Sequence, residues 1–290
     1  MTAPTVTGPI HRPARVRLVR GFCRLAVRSL FRLRVEGRQH FARGPAIYCF
    51  NHLNWTDPIV LLAALPAVPK YAMFGPREAD MTKGARNRLI AWAGFGIPYR
   101  PARTDLIETT RRVSDVLADG WVIVIAGEGR IHRGERELLP LADGTAYFAL
   151  RAGVPIIPVA INGTSWLGFR RLIRVRVGEP ITGTGRPTKE AVASLTARTA
   201  GSLRALVADF PDPGEPGPFG RWLTELFNDW PEGARPAPGE GDAARLEAAA
   251  GTPEVPVAPP EVAAAPPEVP AATPAGTPDE VMAGPATGPG

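Results

Sequence analysis

His52 and Asp57 are the residues of this 290-residue sequence whose types and spacing bear most directly on chemistry. A carboxylate can reach an imidazole five positions earlier only where the chain between them curls, as a loop entering a helix does. Asp57 would then hold one ring nitrogen as N–H and leave the other free to take a proton from a hydroxyl, with His52 as general base. Plainer roles fit the same spacing. Asp57 can serve as an N-cap ahead of Pro58 and His52 as a hydrogen-bonded loop residue, and an H-x4-D pair arises by chance in roughly one such chain in seven. Two metal ligands would be a further reading, but no neighbouring cluster completes a site, so neither a metal nor a cofactor is expected.

A second group follows a Val/Ile-rich run and reads Gly127-Glu128-Gly129-Arg130-Ile131-His132-Arg133-Gly134-Glu135-Arg136. Glycines let a backbone approach a ligand, and Arg130 and Arg133 suit a phosphate through forked hydrogen bonds. The alternative is a solvated basic loop; His132 within it could touch a substrate but reads first as a loop histidine facing water. Gly96-Ile97-Pro98-Tyr99-Arg100 delivers another arginine at a strand end, and Val154-Pro155-Ile156-Ile157-Pro158-Val159 brackets an apolar strand with prolines. The chain has no G-x-S-x-G, H-E-x-x-H or G-x-x-x-x-G-K-[ST], and no Gly-x-Gly in it extends to G-x-G-x-x-G. Those absences argue against hydrolase, zinc protease, P-loop and dinucleotide-binding chemistry.

Positioning these residues requires strands that end where the loops begin. Short apolar runs at Leu33–Glu36, Ala46–Phe50, Lys70–Phe74, Trp121–Ala126, Ile156–Ala160 and Ile173–Val177 read as strands. Helices are expected from Asp57 to about Leu65, over Arg86–Ala93, over Asp105–Ala118 with Asp105 and Glu108 in capping-box spacing, over Thr145–Ala152 with Gly153 at C′, and over Thr188–Asp209. This alternation predicts an α/β domain, a three-layer mixed sheet flanked by helices, with ligand-binding loops at the carboxyl ends of its strands.

Composition sets the boundaries. Residues 231–290 hold fourteen Pro, sixteen Ala and no aromatic, so they read as a disordered Pro/Ala-rich C-terminal tail. Up to Trp230 there are 32 Lys+Arg against 19 Asp+Glu, and beyond it 2 against 9, so the folded part is strongly basic and implies an anionic partner. The expected layout is a flexible N-terminus at 1–14, a basic amphipathic helix at 15–34, the α/β domain at 35–230 and the tail. In the helix Arg20, Arg24, Arg28 and Arg32 form an i, i+4 stripe suited to an anionic bilayer, to packing on the domain, or to nucleic acid. Nucleic acid is not expected as a partner, since no recognition helix or aromatic platform is legible. Phe219–Trp230 is a short aromatic amphipathic stretch that reads as a closing element of the domain, with an interfacial anchor as the alternative. No apolar run reaches the roughly 20 residues of a membrane span, and Cys23 and Cys49 make no disulfide framework, which points to the cytoplasm.

Taken in order, Asn51-His52-(x4)-Asp57-Pro58, Gly96-Ile97-Pro98-Tyr99-Arg100, Glu128-Gly129 and Val154-Pro155-(x2)-Pro158-Val159 resemble the four motifs of the glycerolipid acyltransferase family, over about Val35 to Pro180. The resemblance implies that His52 is the general base, that Asp57 orients it, and that Arg100, Glu128 and Gly129 bind the acceptor. The third motif departs from the family's Phe-Pro-Glu-Gly-Thr-Arg, because Ala126 and Gly127 precede Glu128 and Arg130 and Ile131 follow Gly129. Arg130 or Arg133 would then take the place of the family's arginine. The implied reaction moves a fatty acyl group from acyl-CoA or acyl-carrier protein to a lysophospholipid, with 1-acylglycerol-3-phosphate first and other headgroups open. A non-catalytic lipid-binding protein on the same scaffold is the alternative. The implied setting is an anionic membrane surface, peripherally at the cytoplasmic face.

Overall fold

The computed structural model describes residues 13–77, 92–94, 96–99, 105–212, 214 and 216–227, all within one compact unit. The expected helix at 86–93 (apart from its last two residues), residues 1–12 of the expected flexible N-terminus, Arg100 and the tail lie outside the described residues. The elements run α1 (Pro13–Leu30), β1 (Arg32–Glu36), β2 (Ala46–Phe50), α2 (Asp57–Ala64), β3 (Tyr71–Arg77), β4 (Gly96–Tyr99), α3 (Asp105–Ala118), β5 (Val122–Ala126), α4 (Gly144–Ala152), β6 (Ile156–Asn162), β7 (Leu172–Val177), α5 (Lys189–Val207) and α6 (Pro218–Phe227).

Seven strands form one sheet in the order β1-β7-β6-β2-β5-β3-β4. Every neighbouring pair is parallel except β6 with β7. The central strands β2 and β6 are buried on both faces, as their unbroken apolar runs require. One face packs Tyr48, Val124 and Ile157 against α1 and α2, and the other packs Ile47, Ile123 and Ile156 against α3, α4 and α5. The result is the expected three-layer α/β arrangement. From β2 the chain crosses by α2 to β3 on one side, and from β5 it crosses by α4 to β6 on the other. Their carboxyl ends are therefore a switch point, the place where open sheets of this kind bind ligands.

Local signals act where expected at two helix ends. Gly153 caps α4 in the left-handed region, φ 64°, and the Thr188 side chain accepts the Ala191 N–H at 3.2 Å to open α5. Three expectations need correction. The N-terminal helix stops at Leu30 rather than 34, because Arg32–Glu36 pairs residue by residue with β7 and turns Leu33 and Val35 to the core. The basic stripe is not presented outward along its length, since Arg20 and Arg24 donate to the last carbonyls of α2, at Leu65 and Ala63, where a cation complements the helix end. And Asp57 is the first helical residue of α2, with Thr56 as N-cap, because Asn54 has already curled the chain by accepting the Thr56 N–H at 2.9 Å.

Candidate active site

Asn51 continues β2 and fixes where the next residues point. Its side chain donates to the Ile161 carbonyl at 3.0 Å and accepts the Ile161 N–H at 2.7 Å, imitating a strand pair with β6 where β2 has ended. His52 then emerges at the end of the sheet, 7% exposed, with Phe50 and Trp55 edge-on to its ring at 5.6 and 5.7 Å. The turn brings Asp57 back, fully buried, with its Oδ2 2.9 Å from His52 Nδ1. The same oxygen accepts the N–H groups of Leu53 at 2.7 Å and Asn54 at 2.8 Å. An oxygen facing two main-chain donors is held as an acceptor, so the imidazole hydrogen sits on Nδ1 and the Nε2 lone pair is left for a substrate proton. Nε2 makes no hydrogen bond to the described residues.

The loop after β5 starts beside this turn, since Phe50 pairs with Ala126 and Gly127 N–H donates to the Phe50 carbonyl. Only glycine fits at 127, where a Cβ would lie 2.6 Å from Cys49 Sγ. Burial in turn pushes the Cys49 thiol up to about 12, so it is an inert packing group. Gly129 turns the chain outward in the left-handed region, φ 64°.

Glu128 does not face outward. Its Oε2 accepts the His52 N–H at 2.7 Å, and its Oε1 accepts the Leu139 N–H at 2.9 Å and lies 2.9 Å from His132 Nε2. His132 is 1% exposed rather than solvated, and the sequence reading missed it; the four-residue step from Glu128 was the available signal. Glu135 was also missed. It is buried, and accepts from Asn162 Nδ2 and Gly163 N–H at 2.8 Å and from Ser165 N–H at 3.2 Å, pinning the loop to the end of β6. Burial holds its carboxyl above the usual carboxylate range. Nothing local betrays it, because its partners lie some thirty residues on.

Of the loop's arginines, Arg136 donates to the Phe210 carbonyl and Arg133 stacks its guanidinium 4.1 Å over the Trp166 ring. Arg130 is half-buried and makes no hydrogen bond or ion pair with the described residues. The structure thus brings His52, Asp57, Glu128, Gly129, Arg130 and Arg133 to one end of the sheet, while Arg100 lies outside the described residues. Among the described residues no three His, Cys, Asp or Glu side chains stand together as a metal site.

The acyltransferase family model matches residues 32–162, from the first residue of β1 to the last of β6. The fold is similar to the crystal structure of the 1-acyl-sn-glycerophosphate acyltransferase PlsC from Thermotoga maritima, with a TM-score of 0.55 and 20% identity over 68% of this chain and 83% of that one.

Proposed function

Because residues 32–162 form an acyltransferase-family domain and the chain is an acyltransferase, we propose that it moves a fatty acyl group from a thioester, acyl-CoA or acyl-carrier protein, to the free hydroxyl of a lysophospholipid. The observation that carries this reading is the His52–Asp57 pair, with its hydrogen held on Nδ1 and Nε2 open. Nε2 takes the hydroxyl proton as the oxygen attacks the thioester carbonyl. The C–O bond forms, the C–S bond breaks, and the departing thiolate takes the proton back from the imidazolium. No enzyme nucleophile is needed, and a thioester is already activated, so positioning and base catalysis supply the rate. Arg130, with Arg133 braced on Trp166, suits the acceptor phosphate. The Thermotoga protein's substrate makes 1-acylglycerol-3-phosphate the first acceptor to try.

Lipid substrates favour a protein seated on the bilayer, and two helices support that reading. Helix α1 has no acidic residue and leaves Leu18, Phe22 and Leu25 about two-thirds exposed, while α6 exposes Phe219, Trp222 and Leu226. With Phe169 and Leu30, these account for eight of the eleven large apolar side chains that the described residues expose. Such concentration marks an interaction surface rather than scattered surface leucines. Exposed Arg17, Arg28, Arg32 and Arg170 add attraction to anionic headgroups. No described helix is long and apolar enough to cross a membrane. The attachment we propose is peripheral, at the cytoplasmic face.

The test supplies purified protein with labelled acyl-CoA or acyl-carrier protein and a panel of lysolipids. A diacyl product with 1-acylglycerol-3-phosphate is expected, and no product with any lysolipid would overturn the substrate class. Sedimentation with phosphatidylglycerol vesicles should carry the protein down, and Phe22→Ser with Trp222→Ser should weaken that binding about tenfold or more. Equal binding to neutral phosphatidylcholine vesicles would remove the electrostatic part of the reading.

A further inference from the structure

His52 is gripped by its main chain as well as by its ring. Its N–H donates to Glu128 Oε2 at 2.7 Å, and its carbonyl accepts the His132 N–H at 3.0 Å. The two gripping residues are themselves a close buried pair, with His132 Nε2 2.9 Å from Glu128 Oε1 and side chains 1% and 0% exposed. His132 Nδ1 accepts the Gly134 N–H at 3.2 Å, so the neutral ring carries its hydrogen on Nε2, which stands 2.9 Å from Glu128 Oε1 as a close polar contact outside hydrogen-bond alignment. The Leu139 N–H adds another donor to Glu128 Oε1. The Glu128 side chain is 0% exposed, so none of its surface is open to an acceptor.

We infer that Glu128 and His132 are a positioning pair, which acts through the main chain of His52 to aim its imidazole and does not touch the acceptor. This rests on the acyl-transfer reading, and it deepens it by revising the part that the family resemblance gave to Glu128. The pair stands on the loop that also carries Arg130, so the segment proposed to hold the acceptor phosphate is the one that steadies the base. A main-chain shift of under an ångström at His52 swings Nε2 through a larger arc, and displacement of about 1 Å at a reacting group is enough to lower turnover about 100-fold.

The experiment compares Glu128→Gln, His132→Phe and His132→Gln in full-length protein, reading kcat and acceptor KM beside the NMR signal of the His52 Nδ1 hydrogen. Glu128→Gln keeps the shape but turns an amide toward main-chain donors. His132→Phe keeps the bulk and removes both ring nitrogens. Both should lower kcat about 100-fold with acceptor KM changed less than about threefold, and both should broaden or shift the Nδ1 hydrogen signal. His132→Gln, which can still donate toward Glu128, should recover much of the loss. A raised KM at unchanged kcat, or wild-type kinetics with an unmoved signal, overturns the proposal. The NMR signal needs no turnover, so a failure of the acyl-transfer reading stays distinguishable: the wild type would then form no product while the signal still responds to the variants. Should His132→Phe not fold, Glu128→Gln carries the same expectations.

Discussion

The loops that leave β2 and β5 start side by side, one hydrogen bond apart at Phe50 and Gly127, but their polar side chains are arranged differently. In the first, Asn51, Asn54, Thr56 and Asp57 are all buried and bonded to the loop itself or to β6, so that one imidazole edge is left over. In the second, side chains divide. Glu128, His132 and Glu135 turn in, while Arg130 stays at the rim and Arg133 lies against Trp166. A rigid turn suits a group that must meet a reacting atom within a fraction of an ångström, and a loop with inner anchors and an outer cation suits a charged substrate that must enter and leave.

The contrast is broken most directly at its rigid side. His52→Ala should lower kcat about 1,000-fold with the fold kept by circular dichroism, and Asp57→Asn should lower it by a similar factor; near-wild-type transfer by both would end the mechanism. On the other loop the largest expected effect is on stability. Glu135→Ala leaves the donors of Asn162, Gly163 and Ser165 facing a void and should lower unfolding free energy by about 3 kcal/mol in urea titration. Arg130→Ala should raise acceptor KM about tenfold with a smaller change in kcat; a fall confined to kcat would mean that the rim does not bind. Smallest of all, Cys49 should resist alkylation at pH 8 in the native protein, because a thiol pushed up to about 12 supplies almost no thiolate, and should react once unfolded by denaturant.

Much of this arrangement was legible in the sequence because it is local. The strands β2 and β5 are short Val/Ile-rich or apolar runs, the His52–Asp57 spacing needs one turn, and Gly153 ends α4 as a glycine at C′ should. The basic stripe of α1 was legible as a stripe, but how its arginines divide was not, since nothing in residues 13–30 reveals that the end of α2 lies against Arg20 and Arg24. Glu135 and His132 looked solvated for the same reason. A charged residue in an arginine-rich loop is buried only if distant segments bring polar partners to it: donors in β6 and beyond for Glu135, and for His132 the His52 carbonyl, which accepts its N–H. The composition of α1 showed its cations, while its outward apolar side emerged only once Val19, Cys23 and Val27 were seen to face the sheet.

The sheet's edge has a consequence for how the chain must assemble. Strand β1 has β7 as its sheet neighbour, and the contact between Glu36 and Arg176 joins residues 140 positions apart. Among the described strands of this sheet, the first to be synthesised therefore waits for the last before it can be fixed, and α1 stays without its full backing during that interval. Closure of so long a loop makes folding slow relative to a chain of local contacts, and exposes an oily helix to whatever surface it meets first.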